Sequence, residues 1–318
     1  MTALSFLARA PQQPWFWSYC GAAAVWLATI LFTRGQGGEQ VLVAAFTFAT
    51  FFVIVGMGQM FVITLGPGNV DLSIPATITL AGSVAMKVMD GQDAMIPLGL
   101  ALALGCGLAV GSFNYSLIRL LRIPPIIATL SASFIVQSVA IAYGRGLRIK
   151  PPPLLADFTT ARIAGVPLLA IMIVMLAAVM SIVLSRTVYG RSVLAVGQNM
   201  RAAYFAGIRV DRTRFLTYVM SAAFAALCGY LLSGFSGGAS LNMGEEYLLS
   251  SIAVVVIGGT SVAGGFANVP GIWGAALFLF LLVTMLNTFG AGAGIRLIMT
   301  GLIIIAVIFA AGGRKDRG

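Results

Sequence analysis

The chain consists of long apolar runs cut by short polar ones. The first reads "WFWSYCGAAAVWLATILF" from Trp15, and others follow at 41–65, 72–89, 94–118, 126–143, 167–185, 215–233, 247–259, 271–289 and 295–311. Most match the roughly 17 to 25 residues that carry a helix across a hydrocarbon core. Backbone polar groups in lipid must be satisfied within the chain, and uninterrupted runs of this length do so as helices. The pattern predicts an all-α, polytopic transmembrane helical bundle of about ten spans, one domain covering residues 1–318. The run at 247–259 is short and bounded by glycine, which suits a broken or re-entrant segment.

Composition agrees, with 59% hydrophobic and 9% charged residues and a mean hydropathy of +1.01. Tryptophans at the head of the first run sit where interfacial anchors belong. The few residues before it show no A-x-A cleavage pattern, so the first run reads as a retained span.

Charge then sets orientation. The segment 186–214 holds Arg186, Arg191, Arg201, Arg209, Arg212 and Arg214 against the single acid Asp211. Arg119 and Arg122 follow the fourth run, 94–118, and Arg314, Lys315 and Arg317 lie in the carboxyl tail. Basic residues in short loops stay on the cytoplasmic side, and an even number of spans then puts both termini, with Arg9, inside. The loop holding Arg145, Arg148, Lys150 and Arg162 breaks the pattern, because parity places it outside. Either the count shifts there or a basic outer face docks an acidic partner. The net charge of +10 follows from topology, with contact to anionic membrane lipid as a second ordinary cause. Nucleic acid is not needed to explain it.

Several chemistries are excluded. The chain has no histidine, which removes Ser-His and Cys-His nucleophiles, the usual zinc sites and histidine proton relays. No G-x-x-x-x-G-K-[ST] phosphate loop is present. Cys20, Cys106 and Cys228 stand alone in apolar runs and read as small buried residues. No catalytic or metal-binding group is expected.

Within "GQNMRAAYFAGIRVD", Asn199 suits an N-cap, Met200 to Ala206 favour helix, and Gly207 suits the left-handed position past a helix end. Asp211 reads as the cap of the next span. A two-turn helix is marginal alone, so something holds it. Either Met200, Tyr204 and Phe205 enter a groove on another protein, or the helix lies on the chain's own membrane core.

Polar residues inside spans are costly unless paired, and they point to a cavity or an interhelical contact. The candidates for a translocation path are Gln59, Asn69, Asp71, Ser73, Asn114, Thr129, Ser131, Ser133, Gln137 and Asn287. Asp71 has a structural alternative, as a helix cap or as acceptor for amides freed at a break. Gly105, Gly107 and Gly111 read as close helix packing. Lys87 and Asp90, near a span end, either pair or reach to the interface.

The 186–214 segment resembles the cytoplasmic coupling loop of ribose-type sugar ABC permeases, through Gly190, Arg191, Ala195, Gly197, Asn199, Ala202, Ala203, Gly207 and Ile208. A second block, "SIAVVVIGGTSVAGGFANVPGIWGAAL", is similar to the family through Ile252, Ala253, Val255, Gly258, Gly259, Thr260, Ser261, Gly264 and Gly265. "GPGNVDLSIPATITLAG" matches at Asp71, Leu72 and Ser73, and "RIPPIIATLSASFIVQSVAIAYGRG" resembles a fourth region. The blocks lie in the family's order from 66 to 310. Pro67, Asn69, Pro75 and "FANVPG" depart from its pattern, so no relative's substrate carries over by residue.

The resemblance implies a permease subunit of an ATP-driven importer with a type II arrangement, in a bacterial cytoplasmic (inner) membrane. It implies a cytoplasmic ABC ATPase that holds ATP and Mg, an extracytoplasmic sugar-binding protein, and a second permease copy or paralogue. Gly197, Gln198, Asn199, Met200, Arg201, Ala202, Ala203, Tyr204, Phe205 and Gly207 would then couple to the ATPase. It also implies that the stretches 41–143 and 215–311 are inverted repeats. The cargo would be a monosaccharide or related small polar solute, moved by alternating access. The alternative is an ion-coupled secondary transporter, which the scarcity of acids within spans disfavours.

Overall fold

The computed structural model describes residues 14–35, 37–146 and 149–288, with isolated positions between 292 and 305. Its helices are α1 (Pro14–Phe32), α2 (Gly38–Thr64), α3 (Ile74–Met89), α4 (Ile96–Leu120), α5 (Pro125–Gly144), α6 (Pro153–Thr160), α7 (Leu168–Arg186), α8 (Val188–Gln198), α9 (Met200–Phe205), α10 (Val210–Phe235), α11 (Tyr247–Ile257) and α12 (Val269–Thr288). Among the described residues, 7 helices are long and apolar enough to span, and α3 and α11 are shorter apolar helices. The chain is therefore a polytopic helical membrane protein. Most of the run at 295–311, together with Arg9, Arg148 and the basic carboxyl tail, lies outside the described residues.

Two features refine the all-helical expectation. Strands β1 (Arg162–Ile163) and β2 (Val166–Pro167) form a small antiparallel hairpin, with Ala164 and Gly165 both at positive φ in its two-residue turn. The 72–89 run starts late, because the chain leaves α2 at Thr64 and crosses an irregular break before α3 begins at Ile74.

Helix α2 is the axle of the bundle. From Ala49 to Thr64 only Phe52 is more than marginally exposed, and α10, α11 and α12 pack around it. Lipid tails are as apolar as leucine, so small residues, which let helices approach closely, do the work of association here. A Cβ on Gly107 would lie 2.6 Å from the Ala222 carbonyl oxygen, and one on Gly111 2.5 Å from Val219 Cα, so α4 meets the backbone of α10 directly. Gly105 has nothing within 4 Å and takes no part in this packing, which corrects the expectation for it. Cys20 is likewise exposed, whereas Cys228 is buried.

The segment 149–167 and the residues just before α4 share one end of the bundle, where Asp93 Oδ1 accepts from the Leu154 amide at 2.9 Å. Lys87 lies over the Tyr143 ring, 4.1 Å from its centre, so it makes a cation–π contact. Helices α8 and α9 lie at the opposite end.

Candidate functional site

The polar segment after α7 folds as two helices, of which only the second was legible in the sequence. Thr187 caps α8 by accepting from the Gly190 amide at 3.1 Å. Tyr189 holds α8 to the bundle, with its hydroxyl 2.8 Å from Thr217 Oγ1 and its ring stacked 6.2 Å from that of Phe61. Burial pushes the Tyr189 phenol up to about 12, against a smaller opposing effect of the Thr217 bond. It stays neutral at any pH a cell meets.

Helix α9 is short but closed at both ends. Asn199 Oδ1 accepts from the Ala202 amide at 2.9 Å, as the N-cap role requires. Gly207 has φ +83, its amide donates to Tyr204 and the Ile208 amide donates to Ala203, both at 3.0 Å. This is a Schellman closure. Ala203 is the buried residue of α9. Met200 is exposed, Tyr204 is 68% exposed and Phe205 83%. Beside this knob, Val188, Tyr189, Ser192, Gly207, Arg209 and Arg212 line much of a groove of about 480 Å³.

Asp211 does not cap α10. The helix begins at Val210 with Arg209 at its N-cap position and no side-chain bond there. The Asp211 carboxylate instead turns to α4, accepting from Tyr115 at 3.0 Å and pairing with Arg119 Nε at 3.1 Å.

The second locus is the break between α2 and α3. Asp71 is fully buried. Its Oδ1 accepts from the Ser73 amide at 3.0 Å, the Ser73 hydroxyl at 2.6 Å and, more loosely, Asn114 Nδ2 at 3.4 Å. Its Oδ2 accepts from Ser221 at 2.8 Å. The Asp71 amide donates to Gln59 Oε1 at 3.2 Å. Thr129, from α5, accepts from the Leu72 amide at 3.1 Å and reaches the Val70 carbonyl at 3.0 Å. Asn69 donates to the Gly66 carbonyl and accepts from the Tyr218 hydroxyl, both at 3.1 Å. Side chains from α2 and α5 thus meet backbone groups that the break exposes, as lipid-embedded irregular chain demands, while α4 and α10 bond the side chains of Asn69, Asp71 and Ser73.

Of the path candidates, Gln59, Asn69, Asp71, Ser73, Asn114 and Thr129 come together in this buried cluster. Gln59 Nε2 and Asn114 Oδ1 are its buried atoms without a hydrogen-bond partner. The other candidates lie apart. Ser131 is on the exposed side of α5 and Ser133 is half-buried. Gln137 donates to the Leu241 carbonyl at 2.8 Å, and Asn287 is exposed near the end of α12. Ser221 and Tyr218 escaped the sequence reading, although both are polar groups in the middle of a span, the same signal that marked Asn114.

The 258–268 loop is tied in a similar way. Asn268 donates from Nδ2 to the Gly258 carbonyl at 2.7 Å, and its amide donates to Thr260 Oγ1 at 3.2 Å. The residues "FANVPG", which depart from the glycine-rich pattern, therefore close the loop through Asn268.

A multi-helix membrane bundle with buried polar breaks and an exposed, doubly capped helix suits a membrane transport subunit. The chain belongs to the family described as branched-chain amino acid transport system / permease component, which matches residues 41–308. It is similar to the probable ABC transporter permease protein y4mJ of Sinorhizobium fredii, 32% identical over 84% of this chain and 80% of that one. It is also similar to the ribose import permease protein RbsC of Bacillus subtilis, 31% identical over 80% of this chain and 79% of that one. The autoinducer 2 import system permease protein LsrC of an Enterobacter species is 29% identical over 86% of this chain and 79% of its own. No solved structure matches. The chain is a permease subunit of an ABC importer, a transport component and not a catalytic one, and permeases of this kind work with an ATPase and a binding protein.

Proposed function

We propose that this chain forms the translocation path of an ATP-driven importer for a monosaccharide or a related small polar solute, and that α9 is its contact with the ATPase. The capped α9 carries the proposal, because it holds Tyr204 and Phe205 out into solvent on a segment rich in arginine. An aromatic pair this exposed on a rigid short helix suits insertion into a groove of another protein. The residues from Gly197 to Phe205, with Gly207, form that coupling segment within the loop 186–214.

The sugar-like cargo rests on the names of the ribose and autoinducer 2 relatives. ATP and Mg would be held by the ATPase. A second permease copy or paralogue would complete the membrane part, and an extracytoplasmic binding protein would deliver the solute. The same reading supplies about ten spans, the type II arrangement and cytoplasmic termini. The ATPase biases the permease only through contact free energy that differs between inward and outward states, and α9 is where we assign that difference.

The test is a Tyr204→Ala, Phe205→Ala double variant in the assembled transporter. Insertion should be unchanged, ATPase retained on the purified complex should fall at least tenfold, and uptake should fall with it. Normal retention of the ATPase would overturn the assignment of α9. Vanadate-sensitive uptake by the parent protein is expected, and uptake sensitive only to ionophores would favour the ion-coupled alternative.

A further inference from the structure

Three separate stretches of chain meet behind α9. They are the last turn of α8, the end of α2 with its break, and the 258–268 loop. Helix α2 ends in a tight turn, with the Leu65 amide donating to Val62 and the Gly66 amide to Ile63. The Thr64 carbonyl is taken up by the amide of Gly265 at 3.0 Å, so a loop some 200 residues away serves as acceptor's partner for a helix end that needs one. Gly197 lies against the same spot, where a Cβ would overlap both the Thr64 carbonyl oxygen and the Gly265 nitrogen. Gly264, at φ +85, lies so close to Gly66 that a Cβ there would overlap its Cα, and that Cβ would also stand 2.9 Å from the Gly197 carbonyl oxygen. Gln198 adds a bond from Nε2 to the Gly265 carbonyl at 3.4 Å.

Contacts between helices usually run through side chains, which absorb small displacements by changing rotamer. Here backbone rests on backbone. Packed protein transmits strain when no atom can yield, so a shift of α8 must carry Thr64, Gly66 and Gly265 with it. From Gly66 the displacement passes into the break, since Asn69 is bonded to the Gly66 carbonyl at 3.1 Å and Asp71 follows two residues later.

We propose that Gly197, Gly264 and Gly265 are positioning residues for transport: they weld α8 to the end of α2 and to the 258–268 loop, so that these segments move as one body when the ATPase moves α9. The proposal rests on the assignment of α9 as the ATPase contact. It places the force-bearing joint at Gly197 and makes the buried break around Asp71 the part of the membrane domain that receives the stroke.

Two measurements test it in the complete transporter reconstituted in lipid. The first is Gly265→Ala, on the loop side of the joint and outside the segment assigned to the ATPase contact, where a Cβ would press on Gln198. Assembled complex should still form and hydrolyse ATP, while solute moved per ATP should fall at least tenfold. A residue needed only for packing would lower the amount of folded complex and leave solute per ATP unchanged, and that result would overturn the proposal. The second needs no change in the joint. Spin labels at Arg191 on α8 and Val262 in the loop, both exposed, should keep one separation between the nucleotide-free and vanadate-trapped states. Labels at Arg122 and Val262 should change theirs. If the Arg191 to Val262 separation changes as much as the other, the segments do not move together and the proposal fails. Loss of ATPase retention in the Tyr204→Ala, Phe205→Ala variant, alongside either failure, would leave the α9 contact standing and remove only the joint.

Discussion

Ser221 on α10 donates its hydroxyl to Asp71 Oδ2 at 2.8 Å, joining residues 150 positions apart in the sequence. This bond ties the break after α2 to the helix that follows the exposed α9. A buried carboxylate is tolerated when donors surround it, and Ser73, Asn114 and Ser221 supply them. Ser221→Ala should therefore cost about 1–3 kcal/mol, read as a lower melting temperature of the purified transporter. Asp71→Ala strands all of these donors at once and should reduce the amount of folded protein in the membrane well below that of Ser221→Ala. Equal stability of the two variants would contradict the arrangement.

The glycines of α4 should separate cleanly. Gly111→Ala forces a methyl into the α10 backbone near Val219, and overpacking of this kind costs about 1–3 kcal/mol. Gly105→Ala meets open space and replaces glycine with a better helix former, so stability should hold or rise by up to about 1 kcal/mol. Thermal unfolding of the two variants side by side decides the matter.

Loss of the α9 cap has a local signature. Asn199→Ala should cost the short helix about 0.5–2 kcal/mol. Hydrogen exchange at the amides of residues 201–205 should speed up, while exchange in α2 and α10 stays as in the parent. ATPase retention should weaken without any loss of membrane insertion.

The Arg119 to Asp211 pair is more than half exposed on both sides, and exposed pairs contribute about 0–1 kcal/mol. Asp211→Asn should accordingly shift the melting temperature little, and less still in high salt, where the parent pair is screened. A large loss would mean that the Tyr115 hydroxyl bond at 3.0 Å carries more than the ion pair.

The residue pattern along the chain was enough to determine a helical membrane protein, the lengths of its main spans, and both caps of α9. These depend on neighbours in sequence: apolar length, Asn199 three residues before the amide it accepts from, and glycine at a left-handed position. The same locality explains the misses. Asp211 has the right offset for a cap, but the tertiary fold brings Tyr115 and Arg119 to it and the carboxylate turns to them. Helix α8 was hidden because its hold on the bundle comes from Phe61 and Thr217, on other helices. Tertiary structure alone decided that Gln59, Asn114, Thr129 and Ser221 converge on one break, and that Gly197 rests on Thr64 and Gly265. Hydrogen bonding and backbone contact between distant segments have no period in the sequence, because they are fixed only when the helices pack.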